Sequence, residues 1–194
     1  MTPDAEQWRV ACHEAGHALA ACLLDRALGC CLFDGGGGMA ALAPPASATT
    51  LDATGHTASS LHGRWAGKPT EAILDDCAVY AAGKVAEAII ITNAAVPGFV
   101  AVTGPDAQMI ESAALTALNK YPSIEGVNAW RSLAVACAWR LLRPHADSIR
   151  AIALALQERR SLSAADVAEI HLEQTRKETE LCTADAAGDM CAQS

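Results

Sequence analysis

Residues 13–20 read HEAGHALA, and this stretch determines how the rest of the chain is interpreted. His13 and His17 are four residues apart, so on a helix they lie one above the other on the same face. Both imidazoles can then reach one metal ion, about 2 Å from each ring nitrogen. Glu14 lies at the edge of that face, close enough to take a proton from a water activated by zinc. The stretch therefore predicts a zincin-type HExxH helix with Glu14 as general base.

The same pattern also has a plainer interpretation, in which two buried histidines on an alanine-rich helix are ordinary core residues. Three fixed letters arise by chance in roughly one chain of this length in a few hundred. Gly16 argues for a functional site, because glycine costs a helix interior about 1 kcal/mol relative to alanine. We therefore expect another part of the chain to pack closely against Gly16.

A catalytic zinc needs a third protein ligand and keeps its fourth position for water. The metzincin continuation would require glycine at position 20 and histidine at position 23, but the chain has Ala20 and Leu23, which excludes that subclass. Asp106 is the best candidate. It lies in the first turn of a helix opened by Gly104 and Pro105, where the helix dipole favours a carboxylate. The alternative is an exposed aspartate that only stabilises its helix.

Glu87 is the other candidate for the third ligand. It lies off the apolar stripe of its helix, and it could instead accept the remaining ring proton of a zinc-bound histidine. We favour that role for Glu87 and the ligand role for Asp106. The other histidines have no paired spacing and are interpreted as surface or capping residues: His56, His62, His145 and His171.

Hydrophobic periodicity predicts a mainly α fold, a single helical domain with a small β element near residues 31–43. The domain is expected to span residues 1–177, followed by a flexible C-terminal tail at 178–194. Caps and breakers predict helices from Pro3 to about Gly29, from Thr70 as cap to about Asn93, from Gly104 to Tyr121, from Glu125 to Leu142, from Pro144 to Arg159, and from Ser163, with Asp166 completing a capping box.

Composition narrows the class of protein. The chain has 22 acidic and 14 basic residues and a net charge of -8, which argues against nucleic acid as a partner. Its most apolar stretch, residues 78–91, is interrupted by Lys84 and Glu87, so we expect no membrane span. The first residues do not resemble a secretory signal, and we expect a cytoplasmic protein.

Without an oxidising compartment, four cysteines are expected to be small buried hydrophobic residues rather than disulfide partners: Cys12, Cys22, Cys77 and Cys137.

Several segments of the chain form a recognisable set. They are HEAGHALA at 13–20, GGGGMAALAPP at 35–45, Gly83 to Glu87, Thr103 and Gly104 before Asp106, and LSAADV at 162–167. Together they resemble the peptidase domain of the FtsH-type ATP-dependent zinc proteases, from about residue 8 to residue 170. That family combines HEAGH on an apolar helix with a glycine-rich edge strand, a GxxAE helix, a TG segment before an aspartate ligand, and a late helix start.

The resemblance implies a metalloendopeptidase with one zinc per chain, held by His13, His17 and Asp106. It also implies that an edge strand binds a polypeptide substrate as an added strand, with contacts from Gly36, Gly37, Gly38, Met39 and Ala40. No GxxxxGK[ST] phosphate loop occurs in the sequence, so the activity is expected to be independent of ATP. Substrates would then be unfolded or flexible chains, unless a separate unfoldase partner delivers others, and a homo-oligomer is possible in this family.

Two hypotheses from other classes stay open at this point. One is a catalytically inactive zinc-binding interaction or regulatory module with the same fold. The intact Glu14 argues against it, because a structural zinc site has no use for that carboxylate and tends to close its fourth position. The other is a metal-free helical interaction protein, which requires the HEAGH match to be accidental.

Overall fold

Helices make up most of the chain in the computed structural model, which describes residues 3–33, 37–42, 65, 67–97, 100–118 and 123–191. This confirms the predicted mainly α fold with a small sheet. In chain order the elements are α1 (Pro3–Leu23), β1 (Ala27–Leu32), β2 (Gly38–Leu42), α2 (Thr70–Ile90), α3 (Gly104–Ala117), α4 (Ile124–Leu142), a 3-10 turn (Arg143–His145), α5 (Ala146–Arg159), β3 (Ser161–Ser163) and α6 (Ala164–Cys191).

Helix α1 crosses α2 at very short range. A Cβ atom added to Gly16 would lie 2.5 Å from the carbonyl oxygen of Ala82 and 2.5 Å from the Cβ of Ala86. Glycine is therefore required sterically at this crossing, which confirms the expected close packing against Gly16. Small residues on both helices let the two backbones approach, and this approach brings the side chains of α1 next to α2.

The sheet has the order β2-β1-β3 with both pairings antiparallel, so β2 is an outer strand. Its β1 strand begins where the sequence predicted the end of the first helix, and that prediction was wrong. The helix ends at Leu23 because Asp25 adopts a left-handed conformation with φ of 55°, which turns the chain. The third strand, Ser161–Ser163, was not predicted. It approaches β1 closely at Gly29, whose added Cβ would lie 2.6 Å from the carbonyl oxygen of Leu162.

The part of the core formed by α4, α5 and α6 is filled by large aliphatic side chains. Helix α5 packs against α1, and α4 packs against α2. Trp130 of α4 donates its indole N–H to the Sγ atom of Cys77, 3.2 Å away. The cysteines are free where the structure describes them; Cys12 and Cys77 are buried as predicted, whereas Cys22 and Cys137 are only half-buried. Fully buried side chains here include Leu142, Ile149, Ile152, Leu156 and Val167.

Helix α2 begins without the predicted Thr70 cap, because its N-cap is Pro69 and no side chain caps it. A buried charge cluster lies about two turns further on. Asp76, with no exposed surface, accepts hydrogen bonds from the Trp65 indole at 3.0 Å and the Lys68 ammonium at 2.9 Å, and it pairs with Arg26. A buried carboxylate is tolerated only with such partners. The cluster connects the start of α2 to the chain that follows α1.

Helix α6 begins with the predicted capping box. The Asp166 backbone N–H donates to Ser163 Oγ at 3.2 Å, and the Ser163 backbone N–H donates to the Asp166 carboxylate at 2.8 Å. The helix then continues across residue 177, the predicted start of the tail, to Cys191. Flexibility beyond residue 177 stays a prediction. Within the described ranges, no helix has both the length and the apolar character needed to cross a membrane.

Candidate metal centre

Three side-chain atoms converge between α1 and α3. The Nε2 atoms of His13 and His17 are 3.0 Å apart, and Asp106 Oδ2 lies 3.2 Å from the first and 3.4 Å from the second. Zinc bound at about 2.0–2.1 Å in tetrahedral geometry requires its ligand atoms to be about 3.3 Å apart. The triangle formed by these atoms has this size. We refer to His13, His17 and Asp106 as the metal cluster.

The hydrogen bonds behind the two imidazoles determine which atoms face the centre of the triangle. His17 Nδ1 donates to the backbone carbonyl of Val79 at 2.7 Å, and His13 Nδ1 lies 2.7 Å from a carboxylate oxygen of Glu87. A carbonyl and a carboxylate can only accept, so in each neutral ring the proton is on Nδ1 and Nε2 carries a lone pair. Two ring lone pairs and the Asp106 carboxylate therefore point at one another, an arrangement that could hold a cation between them.

Glycine and a helix start make room for this arrangement. A Cβ added to Gly83 of α2 would lie 2.5 Å from His17 Nε2 and 2.6 Å from His13 Nε2. The imidazoles thus occupy the space that any larger residue at position 83 would take. Asp106 lies in the first turn of α3, two residues after Gly104, which has a φ of 70° and turns the chain into the helix.

The structure separates the positions of the two candidate ligands. Asp106 faces the Nε2 atoms of both histidines, whereas Glu87 lies behind the His13 ring, against Nδ1. Glu87 also accepts hydrogen bonds from Arg9 and Lys84. Asp106 therefore belongs to the metal cluster and Glu87 lies outside it, while their roles as ligand and as hydrogen-bonding partner of a ligand stay predictions.

Electrostatics around the metal cluster favour charged groups. Burial opposes protonation of His13, but the Asp106 and Glu87 carboxylates outweigh it and raise its pKa to about 9. Burial also opposes ionisation of Glu87, yet its hydrogen bonds with His13, Lys84 and Arg9 lower its pKa to about 2. The pKa of Asp106 falls in the same way, since the two histidines outweigh its burial. Without a metal, a proton on His13 partly compensates the converging lone pairs.

Glu14 lies beside the metal cluster, in an open cavity of about 290 Å³. Burial raises the pKa of its carboxyl group, and the backbone N–H of Ala40 donates a hydrogen bond to it. A Cβ added to Gly38 would lie 2.4 Å from Glu14 Cγ, so this glycine makes room for the glutamate beside β2. The lining residues of the cavity are His13, Glu14, His17, Gly38, Met39, Ala40, Val79, Tyr80, Pro105 and Asp106.

Only part of the predicted substrate-binding segment, residues 36–40, lies at this cavity. Gly38, Met39 and Ala40 of β2 line it, and the Met39 side chain is 54% exposed. Gly37 instead closes the turn before β2, where its carbonyl accepts the Phe33 backbone N–H at 3.0 Å. Gly36 lies outside the described residues.

The remaining histidines are separate from the metal cluster. His145 and His171 pack edge to face with their ring centroids 4.9 Å apart, and Ser148 Oγ lies 3.0 Å from His171 Nδ1. Their interpretation as ordinary surface or capping residues missed this contact. His56 and His62 lie outside the described residues.

Sequence reasoning also missed several residues around the metal cluster. The Val79 carbonyl orients His17, but a backbone group has no signal in the sequence. Tyr80 lines the cavity without belonging to a recognisable motif. Arg9 and Lys84 could have been found, because each is one helical turn from a residue of the site: Arg9 from His13 on α1, and Lys84 from Glu87 on α2.

The chain was also compared with known proteins. No protein-family model matches it, and no curated protein matches its sequence.

Proposed function

We propose that the chain is a zinc-dependent metalloendopeptidase of the FtsH type that hydrolyses peptide bonds in unfolded or flexible polypeptides. The observation that carries this proposal is the convergence of two histidine lone pairs and the Asp106 carboxylate on one point, with Glu14 in the same cavity. The size of the triangle suits zinc, and its donor set of two imidazoles and one carboxylate is one that catalytic zinc sites use.

Zinc, when bound by His13, His17 and Asp106, supplies Lewis acidity that polarises a peptide carbonyl and makes water a stronger acid. Glu14 provides the proton transfer. Its carboxylate accepts the proton of the attacking water and returns it to the leaving amine. A pKa raised by burial suits both steps, because a more basic carboxylate accepts the proton more readily and still releases it.

The position of β2 supports a polypeptide substrate. It is an outer strand of the sheet, and three of its residues line the cavity that contains Glu14. An extended chain that adds to this edge uses its own backbone for binding, which gives broad side-chain specificity. An added strand needs a segment that is already extended, so stable folded domains should resist cleavage.

The test combines zinc content with cleavage of an unstructured, casein-like substrate. We expect one zinc per chain in the wild type, weakened binding in Asp106→Ala, and cleavage lost in Glu14→Gln with zinc retained. Asp147→Ala is the matched control for the ligand, because Asp147 is also an aspartate in the first turn of a helix, and its side chain is 62% exposed. Glu71→Gln, at an exposed position in α2, is the control for the base.

Each outcome has a distinct meaning. Zinc binding without cleavage would reject the peptidase and favour the zinc-binding interaction module. A wild-type chain without zinc would reject both. Unchanged zinc affinity in Asp106→Ala would remove Asp106 from the ligand set, and full cleavage by Glu14→Gln would remove Glu14 as general base.

A further inference from the structure

Glu87 is held by more cations than a single ion pair between helices would need. Its Oε1 atom lies 3.0 Å from Arg9 Nη1 and 2.9 Å from Lys84 Nζ, and its Oε2 atom lies 3.1 Å from each of the same two nitrogens. Both carboxylate oxygens are therefore bridged by two cations. Arg9 is held in turn by Glu6, whose carboxylate accepts its Nε–H at 3.0 Å. We call Glu6, Arg9, Lys84 and Glu87 the Glu87 network.

The spacing of these residues directs the network at the metal cluster. Arg9 precedes His13 by four residues on α1, so the two side chains lie on the same face of that helix. Lys84 precedes Glu87 by three residues on α2 and likewise shares its face. The Glu87 side chain is 14% exposed, compared with 31% for Arg9 and 25% for Lys84. The carboxylate thus lies on the inner side of the two cations, with Oε1 2.7 Å from His13 Nδ1.

A purely structural account of the network makes an opposite prediction for metal binding. If Arg9 and Lys84 only joined α1 to α2, their removal would lower stability and leave the ligands where they are. By Coulomb's law, loss of two positive charges near a cation site would then strengthen the binding of a divalent metal. The two cations oppose metal binding electrostatically, so they can favour it only through the geometry of the ligands.

We propose that Arg9 and Lys84 are positioning residues for the metal cluster. They fix the plane of the Glu87 carboxylate, which fixes the His13 ring so that Nε2 points at Asp106 and His17. The geometric gain exceeds the electrostatic cost of two nearby cations. Hydrogen-bonding partners behind a metal-bound histidine are known to affect metal affinity strongly, by about 10–100-fold. This inference rests on the proposed zinc site, but it does not require peptidase activity.

The experiment measures zinc affinity by competition with a chelator, at pH 7 and at pH 9, and the visible absorption spectrum of the cobalt(II)-loaded protein. The variants are Arg9→Met, Lys84→Met and the double variant, which keep the apolar stems of the side chains. Arg150→Met is the matched control, because Arg150 forms an exposed ion pair with Asp147 one turn away. Lys84→Arg keeps a cation beside Glu87 and tests for rescue.

We expect the double variant to bind zinc about tenfold more weakly at both pH values, and its cobalt spectrum to change, while Arg150→Met and Lys84→Arg match the wild type. Unchanged or tighter zinc binding by the double variant would overturn the inference. A loss seen at pH 7 but absent at pH 9 would also overturn it, since it would reflect protons competing for the ring.

The peptidase proposal can fail separately. A wild type that binds zinc without cleaving peptides, combined with weaker binding by the double variant, would leave the positioning role supported and reject the peptidase. A wild type that binds no zinc would overturn both.

Discussion

Two helices that pack against α1 differ in the side chains they carry. At the crossing with α2 an added Cβ at Gly16 would lie 2.5 Å from atoms of Ala82 and Ala86, and one at Gly83 would lie 2.5 Å from His17 Nε2. Helix α5 carries large aliphatic residues such as Ile149 and Ile152, which have no exposed surface. We call the α2 contact the small-residue side of α1 and the α5 contact its aliphatic side; the first determines how closely the backbones approach, and the second fills volume.

This difference separates site geometry from stability. The small-residue side leaves space that the imidazoles of His13 and His17 occupy, so a change there should alter metal binding more than folding. The aliphatic side supplies buried apolar area, so a change there should alter stability more than metal binding. Substitutions on each side can test the separation.

The largest expected effect is that of Gly83→Ala. Its new Cβ would meet the Nε2 atoms of both histidines, which are side-chain ends that can rotate away from the metal cluster. We expect zinc affinity to fall by about a hundredfold or more, because loss of a group that only hydrogen-bonds to a metal ligand already lowers affinity by about 10–100-fold. Helical content by circular dichroism should stay at the wild-type level, since alanine is a good helix former.

Gly126→Ala in α4 is the matched control for that substitution. Its added Cβ would make only ordinary contacts, at 3.4 Å from Leu118 Cδ1 and 3.6 Å from Ser123 Oγ. Zinc affinity should not change, and stability should rise by up to about 1 kcal/mol. If Gly83→Ala bound zinc as tightly as Gly126→Ala, the small-residue side would not determine the site geometry.

The second effect concerns the aliphatic side. Ile152→Ala removes a fully buried side chain of α5 and should lower the free energy of unfolding by about 2–5 kcal/mol. Denaturant titration measures this loss of stability. The zinc affinity of the folded variant should stay within about twofold of the wild type, whereas loss of a hydrogen-bonding partner of a metal ligand typically costs about 10–100-fold. Leu154→Ala, at an exposed position of the same helix, is the control. A large loss of zinc affinity in folded Ile152→Ala would show that the two sides are not separable.

The smallest effect is a pH dependence that only the small-residue side, which contains His13, should produce. In metal-free protein the pKa of His13 is raised to about 9, above its ordinary value of 6.5. Its stabilising contribution is fully present below pH 6.5 and is lost as pH rises through about 9. We expect the free energy of unfolding to fall by about 1–2 kcal/mol between pH 6.5 and 8.5.

His13→Gln supplies the comparison for this effect, because the variant should show a flatter profile over the same range. Cysteines begin to ionise in the unfolded chain near pH 8.5 but stay protonated in the fold, since burial raises the pKa of Cys12 to about 12. Both proteins share this contribution, so the difference between their two profiles isolates that of His13. Equal slopes for the wild type and His13→Gln would show that His13 does not carry the effect.

Much of the candidate site could be predicted because its signals are local. The spacing of His13 and His17 places both on one helix face whatever surrounds them. Asp106 follows a glycine and a proline that open a helix, so its position in the first turn depends on neighbouring residues alone. Gly16 could be predicted to make a close contact, because its helix gave no other reason for a glycine.

The rest depends on partners that are distant in sequence. The three residues of β3 have no strand pattern, and they form a strand only because β1 supplies the hydrogen-bonding groups. The buried position of Asp76 follows from Arg26 and Lys68, whose pairing with it no spacing rule predicts. The end of α1 was predicted near Gly29 but lies at Leu23, because Asp25 turns the chain before that glycine is reached.

The pairing of β1 with β3 has a consequence for how the protein is made. Gly29 pairs with Ser163, and Ser163 also caps α6, so the sheet and the last helix share one residue. Contacts between such distant segments form slowly, because a long loop must close first. Because synthesis runs from the N-terminus, the first helix and the hairpin of β1 and β2 also leave the ribosome well before β3 and the helices that pack on them. The sheet that carries β2 is therefore completed late, after most of the chain has emerged.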